Sequence, residues 1–180
     1  MPDPPLARGP KLKDMNRFTF TAADEADTSR LGAALAEVLP GGTIVALSGT
    51  LGAGKTRLVQ AMAEALGIGR GQVVSPTFVL IQEYHGRKSL YHIDAYRLRD
   101  EAEFLALGTD EYFESEGLVL IEWADRVAGC LPQERVNINI EVIGENRRRF
   151  NISAIGEKYS PALVDLAGKI EPSSGFSPKS

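Results

Sequence analysis

Leu31, Ala34, Leu35, Val38 and Leu39 fall at i, i+3, i+4, i+7 and i+8, the spacing of one face of an α-helix. Just before them "RFTFT" alternates, with Phe18 and Phe20 on one side, and predicts a short strand. Between the two, Thr21 followed three residues later by Asp24 resembles a capping box. Pro40-Gly41-Gly42 stops the helix, and Thr43–Ser48, "TIVALS", is the β-branched apolar run of a buried strand. A glycine-rich loop follows. Leu58, Met62, Ala65 and Leu66 then share a second helical face that Gly67 closes.

The middle of the chain changes period. "TFVLIQEYH" and "SLYHID" predict two strands joined by the turn "GRK", and Arg99 to Leu107 predicts a short charged helix. "GLVLIEW", Gly117–Trp123, holds four consecutive apolar residues, the mark of a strand buried on both faces. "VNINIEVIGENRRRFNISAIG" alternates on both sides of Gly144-Glu145-Asn146 and predicts a hairpin. Ser160-Pro161 opens a last helix, with Ser as cap and Pro in the first turn. Strands alternating with helices over the first two thirds predict an α/β fold. Its central sheet is mostly parallel and flanked by helices, with an antiparallel C-terminal hairpin at one side.

Composition narrows the function classes. The 180 residues suffice for one domain with a good core. A net charge of −4 argues against a free-standing nucleic-acid binder and leaves action on RNA through a partner open. The single cysteine, Cys130, excludes a disulfide framework and a cysteine metal cluster and fits a reducing compartment. No apolar run reaches the roughly 18 residues of a membrane span. Residues 1–16, with prolines and charges but no apolar core, read as a disordered tail rather than a secretory signal, and residues 171–180 as a second tail. The expectation is one domain over residues 17–170, in the cytoplasm.

The chemistry starts at Gly49-Thr50-Leu51-Gly52-Ala53-Gly54-Lys55-Thr56, which fits G-x-x-x-x-G-K-[ST], the phosphate-binding loop. A buried strand enters it and an amphipathic helix leaves it, as that motif requires. Glycines let the backbone turn and aim N–H groups at phosphate oxygens, and the helix start adds orphan donors and a positive dipole end. Lys55 is expected on the β and γ phosphates and the Thr56 hydroxyl on Mg²⁺. Mg²⁺ wants about six oxygens, so carboxylates are needed nearby. Two predicted strands end in one: Asp94 and Glu122. Ligands of open α/β sheets gather at those strand ends, so both are expected at the metal and the attacking water. A hydroxyl of "SPTF", Ser75–Phe78, is a candidate sensor of the γ-phosphate. Strand alternation puts Trp123 on the face opposite Glu122, against a base or in core. His85 and His92 read as structural.

"GTLGAGKT", "SPTF", "HIDAYRL" and "IEWADR", in this order and spacing, resemble the bacterial TsaE family (also called YjeE), from about Phe18 to about Ile155. The P-loop alone is widespread; "SPTF" followed by D-x-Y-R and E-W is far more specific. The resemblance implies a P-loop NTPase-like fold and slow ATP hydrolysis with Mg²⁺. It implies service to the complex of TsaD and TsaB, which installs threonylcarbamoyl on the adenosine beside the anticodon of tRNAs reading codons that begin with A. The tRNA is met only through those partners. The resemblance further implies Lys55 on phosphate, Thr56 on Mg²⁺, Asp94 and Glu122 on the metal and water, Thr77 in a switch-like segment and Trp123 close to the nucleotide. Glu25 and Arg147 match positions near the nucleotide in that family. Two departures stand out: Thr50 replaces a usual acid, and Arg57 replaces a usual small hydroxyl residue.

Rival readings fare less well. A small-molecule kinase needs an Arg-rich lid, and Arg97, Arg99 and Arg126 are scattered. A GTPase needs N-K-x-D, which is absent, and the only D-x-x-G, Asp165–Gly168, lies inside the predicted last helix. A nucleotide-gated binding module differs from the favoured reading only in whether hydrolysis resets docking.

Overall fold

The computed structural model describes residues 16–170; the two expected tails lie outside the described residues, Asn16 excepted. Seven strands form one sheet: β1 (Arg17–Ala22), β2 (Ile44–Gly49), β3 (Ile81–His85), β4 (Ser89–Asp94), β5 (Leu118–Glu122), β6 (Arg135–Val142) and β7 (Arg148–Ile155). Their spatial order is β1-β7-β6-β2-β5-β4-β3. The four central strands, β6, β2, β5 and β4, run parallel. Antiparallel pairings flank them, β3 on β4 at one edge and the β6–β7 hairpin with β1 at the other.

Helices cover both faces, which explains the apolar runs in the middle strands. Helices α1 (Glu25–Val38), α2 (Lys55–Ala65) and α5 (Ser160–Lys169) pack with the sheet around Leu35, Leu47, Leu58, Leu120 and Phe150. On the opposite face α3 (Glu101–Ala106), α4 (Thr109–Phe113) and the 3₁₀ segment Ala124–Cys130 cover Ile44, Ile93, Val119 and Ile121. Every residue of β5 is therefore buried, as the run "LVLIE" predicts. Among the described residues no helix is long and apolar enough to cross a membrane.

Local chemistry sets the element ends. The cap of α1 is Asp24, not Thr21, which belongs to β1. The Asp24 carboxylate accepts from the N–H of Asp27 at 2.9 Å, and the Asp27 carboxylate reaches back to the N–H of Ala23 at 2.8 Å. Two carboxylates thus each accept one backbone N–H at the helix start, and such a cap is worth about 1 kcal/mol. Ser160 makes no capping bond: α5 continues from a preceding 3₁₀ turn whose Tyr159 stands at the cap position. The strand expected to begin at Thr77 begins only at Ile81. Residues 77–80 turn instead, closed by Leu80 N–H on the Pro76 carbonyl at 2.6 Å. Leu80 has φ 67°, a left-handed backbone that no extended strand accommodates. Helix α4 has no counterpart in the sequence reading; Gly108, in the left-handed region, separates it from α3.

Candidate functional site

Strand β2 delivers the chain into the glycine loop at the carboxyl end of the parallel sheet. Gly49 has φ 145°, and a Cβ there would sit 2.6 Å from the Ile140 carbonyl oxygen of β6, so glycine is required by both backbone and space. The loop is closed by the Ala53 N–H on the Thr50 carbonyl at 3.0 Å. Gly54 is the left-handed cap of α2 and offers no side-chain acceptor, and the first turn of α2 carries no acid. The first-turn N–H groups of Lys55, Thr56 and Arg57 therefore keep their donor capacity and the positive helix end for an anion.

Lys55 is buried. Its Nζ donates to the carbonyls of Gly49 at 2.7 Å and Thr50 at 3.0 Å and stands 3.7 Å from the centre of a Trp123 ring. Burial pulls the ammonium below its ordinary range, opposed by the negative charges of Glu122, Asp125 and Asp94. Trp123 packs against the core of Ile93, Val119 and Ile121, the face opposite Glu122, as alternation predicts. It has φ 58° and ends β5 in a left-handed turn, and its ring also reaches Lys55. Tyr96 packs against it at 4.9 Å between ring centres.

Parallel register brings the two carboxylates together: Asp94 of β4 is the cross-strand partner of Glu122 of β5. Both are buried. The Glu122 Oε1 accepts from the Thr56 hydroxyl at 2.7 Å, tying the second residue of α2 to the end of β5. The Asp94 Oδ2 accepts from both Ser75 Oγ and Thr77 Oγ1 at 3.0 Å, and its Oδ1 accepts from the Tyr96 N–H at 2.9 Å. The hydroxyl-bearing segment "SPTF" is thus clamped on one of the two acids.

Two cavities adjoin the loop. One of about 360 Å³ is lined by loop residues with Lys55, Thr56, Thr77, Asp94, Glu122 and Trp123. The other, about 480 Å³, lies between the start of α1 and the hairpin and is lined by Glu25, Gly52, Gly54, Arg57, Asn146 and Arg148. Arg57 lines both; its guanidinium donates to Ser29 Oγ at 2.6 Å and lies 3.7 Å from a carboxylate oxygen of Glu25. Leu51 projects outward, 77% exposed.

The structure thus gathers Gly49, Thr50, Leu51, Gly52, Ala53, Gly54, Lys55, Thr56, Thr77, Asp94, Glu122 and Trp123 around one loop, with Glu25 across the second cavity. Arg147 is exposed at the hairpin turn. Its neighbour Arg148 reaches the loop instead, donating to the Ala53 carbonyl at 3.1 Å and to the Gly144, Glu145 and Arg147 carbonyls. Two contacts go beyond the sequence reading: Arg148, known there only as one of a run of arginines, and His92, read there as structural, whose ring meets Glu122 at 2.8 Å. The signal for His92 was its place two residues before Asp94 on one face of β4.

The family model described as "Threonylcarbamoyl adenosine biosynthesis protein TsaE" matches residues 22–150. A Bacillus subtilis protein named tRNA threonylcarbamoyladenosine biosynthesis protein TsaE is 39% identical over 154 residues, 85% of this chain and 96% of that protein. A Treponema pallidum protein of the same name is 40% identical over 127 residues, 71% and 93% of the two chains. The crystal structure of Bacillus subtilis YdiB superposes with a TM-score of 0.74 at 35% identity, covering 84% of this chain and 95% of that one.

Proposed function

The chain belongs to the TsaE family, and on that premise we propose that it is a P-loop ATPase serving the threonylcarbamoyl modification of tRNA. The observation that carries the reading is the hydrogen bond from Thr56, the hydroxyl of the phosphate loop, to Glu122 at a neighbouring strand end. It is the arrangement in which a loop hydroxyl and a strand-end carboxylate share one metal.

The donor set fits Mg²⁺. The Thr56 hydroxyl and the Glu122 and Asp94 carboxylates are all oxygen. Among the described residues no group of three His, Cys, Asp or Glu gathers to form a cage, so nucleotide phosphates and water complete the shell, as Mg²⁺ sites commonly require. Thr56, Glu122 and Asp94 would hold the ion, which would supply positive charge toward the phosphates. The loop amides and the α2 start cradle the phosphates, and Lys55 holds the β and γ oxygens. Glu122 and Asp94 serve the metal and orient the attacking water, so that ATP and water give ADP and phosphate. Trp123 and Tyr96 wall the γ-phosphate end, and the cavity bounded by Glu25 and the hairpin takes the nucleoside side.

Ser75 and Thr77 link this chemistry to docking. They sit on Asp94 through hydroxyls that a γ-phosphate and its metal would recruit, and beside them Phe78 is 82% exposed. A nucleotide-dependent change here presents a different surface to TsaD and TsaB, the partners in this reading, with tRNA reached only through them. The test is steady-state ATP hydrolysis by the purified chain, alone and with TsaB and TsaD of the same cell. A slow rate that changes when the pair is added is expected. A rate indifferent to the pair overturns the coupling, and no hydrolysis under either condition overturns the ATPase.

A further inference from the structure

We propose that His92 is the positioning residue of Glu122, fixing which carboxylate oxygen faces inward and which faces the metal and water. The inference deepens the ATPase reading and rests on Glu122 acting there.

His92 is wholly buried. It alternates with its neighbours so that Leu90, His92 and Asp94 share the face of β4 turned toward α2, and its cross-strand partner on β5 is Leu120. That register makes Glu122, two residues further along the same face of β5, its diagonal neighbour. The ring Nε2 lies 2.8 Å from Glu122 Oε1, and the Thr56 hydroxyl lies 2.7 Å from the same oxygen. A carboxylate oxygen only accepts, so Nε2 carries the proton it donates. The other ring nitrogen, Nδ1, is buried with no hydrogen-bond partner among the described residues. A buried polar side chain whose one bond is to a site carboxylate is held there by that bond.

Both hydrogen bonds to the Glu122 side chain fall on Oε1. With His92 donating from the core side and Thr56 from the loop side, rotation of the carboxylate would forfeit both. Among the described residues Oε2 has no hydrogen-bond donor and is the oxygen the site offers. When the Thr56 hydroxyl turns to a metal, His92 is the donor that keeps Oε1 in place. This is the part that outer donors play for ligating groups generally.

Side-chain reach supplies the test. The Nε2 of glutamine stands the same number of bonds from the backbone as Nε2 of histidine, whereas the amide of asparagine ends one bond short, where Nδ1 lies. Full-length chains with His92→Gln, His92→Asn and His92→Leu are compared with the unaltered protein. The readouts are ATP turnover, the Mg²⁺ concentration that half-saturates nucleotide binding as followed by Trp123 emission, ATP affinity without Mg²⁺, and thermal unfolding. His92→Leu and His92→Asn are expected to lose about 10–100-fold in turnover and in Mg²⁺ affinity, with metal-free ATP affinity retained, and His92→Gln to recover most of both. Equal behaviour of the Gln and Asn proteins overturns the proposal even if the Leu protein does not fold, because the two amides differ only in reach. A Leu protein with unaltered Mg²⁺ dependence and turnover also overturns it. An unaltered protein that binds no ATP overturns the ATPase reading itself, an outcome plainly different from the other two.

Discussion

Lys55 holds the cation of the site, and its surroundings make two predictions. Its ammonium is shared between two loop carbonyls and the face of Trp123, and Trp123 is the only tryptophan in the chain. Tryptophan emission, excited selectively over the tyrosines, therefore reports on the surroundings of Lys55. Adding ATP draws Nζ toward phosphate and is expected to change Trp123 emission. Lys55→Ala removes both the cation and the phosphate anchor, and calorimetry is expected to find no ATP binding. Unchanged affinity in that variant would show that the loop does not hold phosphate. Glu122→Ala is the complementary case: nucleotide binding through the loop amides and Lys55 is expected to persist, while turnover is expected to fall by a hundredfold or more, on the order of 3 kcal/mol of barrier. Wild-type turnover would place the catalytic role elsewhere. The residues of these tests were legible in the sequence because a phosphate loop is a contiguous string and strand ends converge in parallel sheets. Alternation put Trp123 on the face opposite Glu122, where its packing lies, but its contact with Lys55 was not legible because a left-handed residue ends the strand there. His92 was passed over because its partner is 30 residues away, across a register that no local pattern reveals.

Between elements, close approach and stapling set the site's rigidity. Helices α1 and α2 cross at Gly32, where an added Cβ would run into the Ala61 side chain and backbone. Gly32→Ala thus gains helix propensity locally but forces the helices apart. A net loss of about 1–3 kcal/mol is expected from overpacking, read as a lower urea midpoint at unchanged slope. A midpoint that rises would mean the helices part without cost. The start of α1 also answers to pH. The Ala23 N–H and the Arg30 side chain hold the Asp27 carboxyl below its ordinary value. A depressed carboxyl contributes stability that is complete above its unfolded value, near 3.8, and is lost as pH falls through the folded value. Asp27→Asn is expected to flatten the acid limb of the stability curve in that window and leave its neutral region parallel. The helical faces and the hairpin behind these contacts were read correctly from period alone. The turn at residues 77–80 was not, since "TFVLI" has strand composition and only the left-handed Leu80 betrays the turn. Arg148 was hidden among three consecutive arginines until the hairpin register selected which one faces the loop.

At the scale of the molecule, the strand order places the loop after β2 beside the ends of β5 and β4, so one end of the sheet joins the glycine loop, the Asp94 and Glu122 carboxylates and the segment from Ser75 to Leu80. That segment is tied to the sheet by few bonds: two hydroxyls on a single oxygen of Asp94 and the Asp94 N–H on the Leu80 carbonyl at 3.0 Å. The same oxygen cannot serve two hydroxyls and a metal at full strength, since each draws on its lone pairs. If a metal recruits that oxygen, as proposed, Ser75 and Thr77 would be released to bond elsewhere, with a γ-phosphate as one acceptor. Phe78, whose ring lies 4.2 Å from the Arg97 guanidinium, and exposed Val79 would be expected to move with them. Hydrogen exchange over residues 74–80 is expected to differ between the ATP and ADP states with Mg²⁺ and to be the same in both for Asp94→Asn, which still binds nucleotide through the loop. Indistinguishable exchange in the two states of the unaltered protein would disconnect the segment from the nucleotide. The proposed partners would then have nothing at this end of the sheet by which to read which nucleotide is bound.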